Sequence, residues 1–283
     1  MKHHLLIILF ILSACNIQAQ TASDTIVMNY LKEMEAPVTR NNEVKLLMSG
    51  REKFTDLFES IRHARHHIHL EYFNFRNDSI ANALFKLLAQ KADEGVEVRA
   101  MFDAFGNWSN NRPLKKRHLR SIRARGIEIV KFDPITFPWI NHAAHRDHRK
   151  IAVIDGKIGY TGGMNIADYY INGLPKIGNW HDMHLHLEGD VVRYLQGIFL
   201  TMWNRETGQH IGGPAYFPDT PQFPDSITEE IAVVDRTPRE TPRSISHAYA
   251  ASIQAAQKSI RIVNPYFVPT KSIRQAIKNA LKK

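Results

Sequence analysis

The chain has 283 residues, enough for one large or two ordinary domains with a real hydrophobic core. With 43% apolar and 23% charged residues the composition is that of a globular protein, which excludes a disordered chain. The formal net charge of +9 favours anionic partners, either phospholipid headgroups or nucleic acid, without choosing between them.

Met1-Lys2-His3-His4 is a short basic start, and residues 5–12 form an apolar run too short to span a membrane. Leu12-Ser13-Ala14-Cys15 resembles a bacterial lipobox, in which Cys15 becomes the lipidated first residue of the mature chain. The rival is secretion with cleavage after Ala19, disfavoured because Ile17 is bulky where a small residue is wanted. Residues 1–19 therefore read as a signal segment. The protein is expected outside the cytoplasm, membrane-anchored and facing the periplasm or cell exterior, with soluble secretion as the alternative. Cys15 is the one cysteine, so no intramolecular disulfide forms.

Residues 20–43 are polar and mixed and read as a tether. Strands are predicted over 44–48, 67–75, 96–103 and 127–132, with helices over 51–64, 79–94 and 113–125 between them. Gly95 and Gly126 stop the last two helices. An irregular loop at 133–147, with aromatics at 137–139, precedes a buried strand at 151–154. Beyond it come an alternating strand at 180–188 and a helix at 191–203 with one apolar face. Such alternation of strands and helices argues for an α/β sandwich. Residues 212–225 carry four prolines and no periodicity, as a linker does. The tail reads as strand 231–234, helix 243–258, strand 260–263 and helix 271–281. It repeats an earlier stretch: Ser60, Ile61, Ala64, Ile68, Leu70 and Phe75 match Ser252, Ile253, Ala256, Ile260, Ile262 and Phe267 at a constant offset of 192 residues.

The densest chemistry lies in H-R-K-I-A-V-I-D-G-K-I-G-Y-T-G-G-M-N, His148 to Asn165. Alternation along the strand points His148 and Lys150 one way and Asp155 the other. An imidazole and an ammonium on one face suit phosphate chemistry, the first as nucleophile and the second as holder of a non-bridging oxygen. Gly162 and Gly163 bring backbone close to a ligand, and Asn165 sets an amide donor beside it. Glu71, a carboxylate inside an apolar strand, needs a partner, so it supports the site or an internal ion pair. Asp103 ends its strand where such sheets place site residues, although a turn cap explains it equally. Helix 113–125 carries Lys115, Lys116, Arg117, Arg120, Arg123 and Arg125, a solvated face that also suits anionic lipid.

H-x-K-x4-D followed by G-G-x-N resembles the phospholipase D superfamily signature. With Arg146-Asp147 before it and N-I-A-D-Y closing it, the stretch is most similar to bacterial cardiolipin synthases, and the likeness runs over residues 44–283. The resemblance implies a phospholipase D-like α-β-α sandwich with one full lobe at 44–210, a Pro-rich linker at 211–228 and the truncated start of a second lobe at 229–283. It also implies phosphodiester exchange through a phosphohistidine on His148, with Lys150 and Asn165 holding phosphate oxygens. Asp155, although part of the signature, has a structural role on both the strand geometry and the resemblance. Asp182, in a W-x-D similar to that of cardiolipin synthases, is the carboxylate that would fix the tautomer of His148. Gly162, Gly163, Arg146 and Glu71 are assigned to the substrate side. The repeat places a second His-Lys motif near position 340, beyond Lys283, so a longer chain or a homodimer would complete the site.

No cofactor or metal is implied, since a fixed ammonium supplies the charge neutralisation. His142, His145 and His148 on an irregular loop make a poor zinc set. No later segment is apolar enough to span a membrane, a departure from typical cardiolipin synthases. The expected substrate is an anionic, phosphatidylglycerol-like lipid at a membrane surface. Nucleic acid, cut by a homodimeric nuclease or phosphodiesterase of the same superfamily, is the runner-up, and a non-catalytic lipid-binding lobe the third reading.

Overall fold

The apolar runs around residues 70 and 152 become neighbours at the centre of one sheet. A computed structural model describes residues 22–134, 146–236, 243–264 and 267–282. The signal segment with Cys15, the 137–140 loop, His142, His145 and the Pro265-Tyr266 pair lie outside these. The strands are β1 (Val38–Thr39), β2 (Asn42–Leu47), β3 (His67–Tyr72), β4 (Glu97–Asp103), β5 (Glu128–Phe132), β6 (Lys150–Ile154), β7 (Ile158–Gly162), β8 (His184–Gly189) and β9 (Ile231–Ala232). The α-helices are α1 (Ala22–Glu33), α2 (Gly50–His63), α3 (Ser79–Asp93), α4 (Ala104–Ser109), α5 (Lys116–Arg123), α6 (Tyr169–Asn172), α7 (Val191–Thr207), α8 (Ser244–Ala255) and α9 (Lys271–Ala280).

The chain divides into two units, residues 36–242 and residues 1–35 with 243–283. In the first, seven strands make a mixed sheet in the order β2-β8-β7-β6-β3-β4-β5, parallel only across β3-β4-β5. Helices α2, α3 and α5 cover one face through Leu57, Ile61, Leu84, Leu88, Leu119 and Ile122. Helix α7 covers the other, where Phe199 and Trp203 meet Met101 and Phe132, and Val191 and Leu195 meet Ile151 and Val153. This is the expected α-β-α sandwich. Strand β3 is buried on both faces, because helices cover both sides of the central strands.

The helix ends obey local chemistry. Ser49 caps α2 by accepting from the Glu52 N–H, and Glu52 reaches back to the Met48 N–H at 2.8 Å. Asp78 caps α3, and Asp168 adds a second carboxylate, accepting from the Ser79 and Ile80 N–H groups at 3.1 and 2.7 Å. Gly95 and Gly126 follow α3 and α5 at φ of 89° and 77°, backbone that favours glycine.

Several elements differ from the sequence expectation. Helix α5 starts at Lys116, since residues up to 115 are spent closing against Asn107, whose side chain bonds the Leu114 N–H and carbonyl at 2.8 and 3.1 Å. Strand β8 starts at His184, because residues 180–183 leave the ladder to cross the Gly163 turn. Part of the 20–43 stretch forms α1 and β1. The Pro-rich stretch is held down: Tyr216 stacks on His69 at 5.7 Å, and its hydroxyl donates to Glu97 at 2.7 Å. In the other unit, Ala250 and Ile253 of α8 pack against Ala276 of α9. Residues 260–263 form no strand: Ile260, Ile262 and Val263 are exposed, whereas Ile68 and Leu70, the repeat partners of the first two, are fully buried. Residues 231–232 do form a short ladder with β1, whereas 260–263 pair with no strand among the described residues.

Candidate active site

Strand direction gathers the motif at one end of the sheet. β6 runs antiparallel to β3 and β7, so its start lies beside the last residues of both. Tyr72 pairs with Lys150, Ile151 with Thr161, and Gly162 with His184. The C-terminal ends of β3, β4 and β7 and the N-terminal ends of β6 and β8 thus converge, the edge where such sheets build sites.

Lys150 is buried and its Nζ lies 3.0 Å from His148 Nδ1, while donating to the His148 carbonyl at 2.6 Å. Burial pushes its pKa down to about 8, against the opposing pull of Asp147, Asp182 and Asp103. The His148 side chain reaches solvent, but its ring seats against Phe73 at 4.6 Å. Partial desolvation, then the Lys150 ammonium, lower its pKa to about 4. At neutral pH the pair is a neutral imidazole beside a charged amine. A donating ammonium makes Nδ1 the acceptor and leaves the ring proton on Nε2.

Asn165 is buried near them; its Oδ1 accepts from the Asn74 N–H and its Nδ2 donates to the Tyr170 hydroxyl, both at 3.4 Å. The glycines preceding it answer to crowding by the chain itself. A Cβ on Gly163 would stand 2.0 Å from Asp182 Oδ1, and one on Gly162, at φ 150°, 2.6 Å from His184 Nδ1. What they admit at close range is the 182–184 segment.

The other assigned residues separate. Asp155 sits at the far end of β6 from Lys150, in an Asp-Gly turn with φ of 54° and 66°. Its carboxylate accepts from the backbone of Arg65, His66 and His67 at 2.7 to 3.0 Å, tying β6 to the start of β3. Though part of the signature, Asp155 thus stands apart from His148 and Lys150 and serves the turn. Asp182 accepts from its own neighbour, the Met183 N–H, at 2.8 Å, and among the described residues no hydrogen bond joins it to His148. Lys150, not a carboxylate, holds that ring. Glu71 points to the α7 side, 3.3 Å from Arg149, which also holds Asp235 bidentately at 2.7 Å. Burial and Asp147 raise the Glu71 pKa well above the carboxylate range, against Arg149. It belongs to an internal ion network. Arg146 is engaged by Asp133 at 2.7 Å and Asp103 at 3.6 Å. Asp103 is a cap, accepting from the Gly106 N–H at 2.8 Å, and it also accepts from the Asp147 N–H at 2.9 Å, which braces the approach to His148.

The sequence reading missed Lys53, Phe73 and His184. Lys53 had a signal: it occupies the apolar row of α2 with Leu57 and Ile61. His184 is fully buried, and among the described residues neither ring nitrogen has a hydrogen-bond partner; burial, then Lys53 and Lys150, hold it neutral. No group of metal-binding side chains occurs among the described residues.

A family model described as cardiolipin synthase, phospholipase D-like domain, matches residues 57–203, just over half of the chain. The chain is 40% identical over 247 residues to a cardiolipin synthase of Halalkalibacterium halodurans, covering 86% of this chain and 48% of that protein. It is 38% identical over 246 residues to a cardiolipin synthase of Staphylococcus aureus, again covering 86% and 48%. It spans about half the length of these curated relatives. Among solved structures, the phosphatidylserine synthase of Haemophilus influenzae Rd KW20 superposes with a TM-score of 0.61 at 12% identity, covering 90% of this chain and 64% of that one, a likeness of fold.

Proposed function

Because the chain belongs to the cardiolipin synthase, phospholipase D-like domain family, we propose that it transfers or hydrolyses phosphatidyl groups of anionic, phosphatidylglycerol-like lipids. The observation that carries this reading is the Lys150–His148 pair at the sheet end, 3.0 Å apart. A phosphate entering there offers the Lys150 ammonium a better acceptor than Nδ1, and the imidazole is released. His148 then attacks phosphorus: a P–N bond forms, the P–O bond to one alcohol breaks, and the alkoxide takes a proton from an acid. A second such motif, on a further lobe or a second copy of this chain, would supply that acid. Lys150 and the remaining N–H of Asn165 meet the charge that gathers on the phosphate oxygens. In the second step water or an acceptor alcohol forms a new P–O bond as the P–N bond breaks, its proton passing to the group that served as acid in the first step. The leader with Cys15 adds a lipid anchor to the proposal, tested by the mass of the mature N-terminus.

The test incubates purified protein with phosphatidylglycerol vesicles and, separately, with DNA and bis-nitrophenyl phosphate. Turnover of the lipid that disappears in His148→Ala supports the reading. Turnover of DNA alone would favour the nuclease, the alternative that the net charge of +9 supports. Lipid turnover undiminished in His148→Ala would overturn the role of the motif.

A further inference from the structure

Lys53 is fully buried, and the scheme above gives it no task. Its Nζ donates to the carbonyl of Met164 at 2.8 Å and to that of Asn165 at 3.1 Å, acceptors 111 and 112 residues away in the chain. The rings of Phe54 and Tyr72 flank it at 4.9 and 4.8 Å. An amine among apolar side chains is unfavourable unless its N–H groups are satisfied, so the two carbonyls are what make the position tenable. Gly50 brings the amine within reach: a Cβ there would stand 2.3 Å from the Tyr170 carbonyl oxygen, so its bare Cα lets α2 close on the motif turn.

The turn itself is gripped at both ends. The Gly163 N–H donates to the Met183 carbonyl at 3.0 Å, the Arg76 N–H to that of Ile166 at 3.0 Å, and Asp168 holds the start of α3. Between those grips, Lys53 binds the Met164 and Asn165 carbonyls. The Asn165 side chain is held by long contacts, two of them at 3.4 Å, so its aim depends on the backbone beneath it.

We propose that Lys53 is a positioning residue for the phosphate site, holding the Met164–Asn165 backbone and through it the aim of the Asn165 carboxamide. This rests on the reading of His148, Lys150 and Asn165 as a phosphate site. Burial, then the nearby Lys150, press the Lys53 pKa well down.

Inorganic phosphate titrated calorimetrically into the wild-type chain, Lys53→Met, Asn165→Ala and the double variant tests this. Lys53→Met weakens phosphate about tenfold, the scale of one well-aimed hydrogen bond. Asn165→Ala does the same, and the double variant is no weaker than Asn165→Ala, since both act through one amide. A purely structural lysine would instead give losses that multiply, which would overturn the proposal, as would unchanged binding in Lys53→Met. Should Lys53→Met fail to fold by circular dichroism, Lys53→Gln, which returns amide donors to the carbonyls, takes its place with intermediate affinity expected. Unfolding of both variants counts against the proposal, which puts the turn and not the lobe under this residue. A wild-type chain that binds no phosphate sinks the site reading and the inference with it. Normal binding in the wild type and in Lys53→Met sinks the inference alone.

Discussion

His148 and Lys150 work in one protonation window. With pKa values of about 4 and about 8, the imidazole is neutral and the amine charged between those limits. Turnover is expected to rise through the lower value and fall through the upper, as a pH profile of kcat/KM would record. Lys150→Arg keeps the charge at higher pH, so the alkaline limb should vanish even if the rate is reduced. The same lysine burdens the fold. Its folded pKa lies below the ordinary 10.5, so the charged form is disfavoured by folding, fully below about pH 8 and fading as pH approaches 10.5. Lys150→Met should therefore raise stability at pH 7 by about 1–3 kcal/mol, read as a higher Tm, while abolishing turnover. The histidine acts with the same sign in a lower window: stability present above 6.5 is lost as pH falls through about 4. In sequence the pair was legible from spacing alone, because residues two apart near a strand share a face. That Lys150 would bond His148 itself was not, since it depends on rotamers that only packing selects.

Turns tie the strands to these residues. Asp155 holds three backbone N–H groups across the start of β3, and Asp155→Ala should cost about 2–3 kcal/mol in denaturant melts. Because those bonds lie at the opposite end of β6 from His148, phosphate affinity of the folded fraction should be unchanged. Gly163 marks the opposite case. Its Cβ would overlap Asp182, so Gly163→Ala must push β8 away from the motif turn. Both phosphate binding and Tm should fall, the latter by a few degrees on the scale of about 1–3 kcal/mol for overpacking. Strand and helix identities were readable from periodicity and glycine stops. The start of β8 at His184 was not, since alternation continues through 180–183 while contact with Gly163 draws those residues off the ladder.

At the scale of the whole molecule, charge has a place to act. Lys115, Lys116, Arg117, Arg120 and Arg125 are exposed on and around α5, and Trp108 on α4 is 74% exposed. Sedimentation with phosphatidylglycerol vesicles should exceed that with phosphatidylcholine and decline as salt is raised, the mark of screened surface charge. Among the described residues no helix is long and apolar enough to cross a membrane. The residues by themselves determined the sandwich, most of its elements though not β7, and the His148-Lys150-Asn165 spacing, because periodicity and short-range spacing are local properties of a chain. Only tertiary structure decided that Asp155 serves a turn, that Glu71 and Arg146 belong to ion networks, and that Lys53 reaches the motif turn. Each of these hangs on groups brought together from 13 to more than 100 positions apart, and burial sets their charge only once the sheet has closed over them.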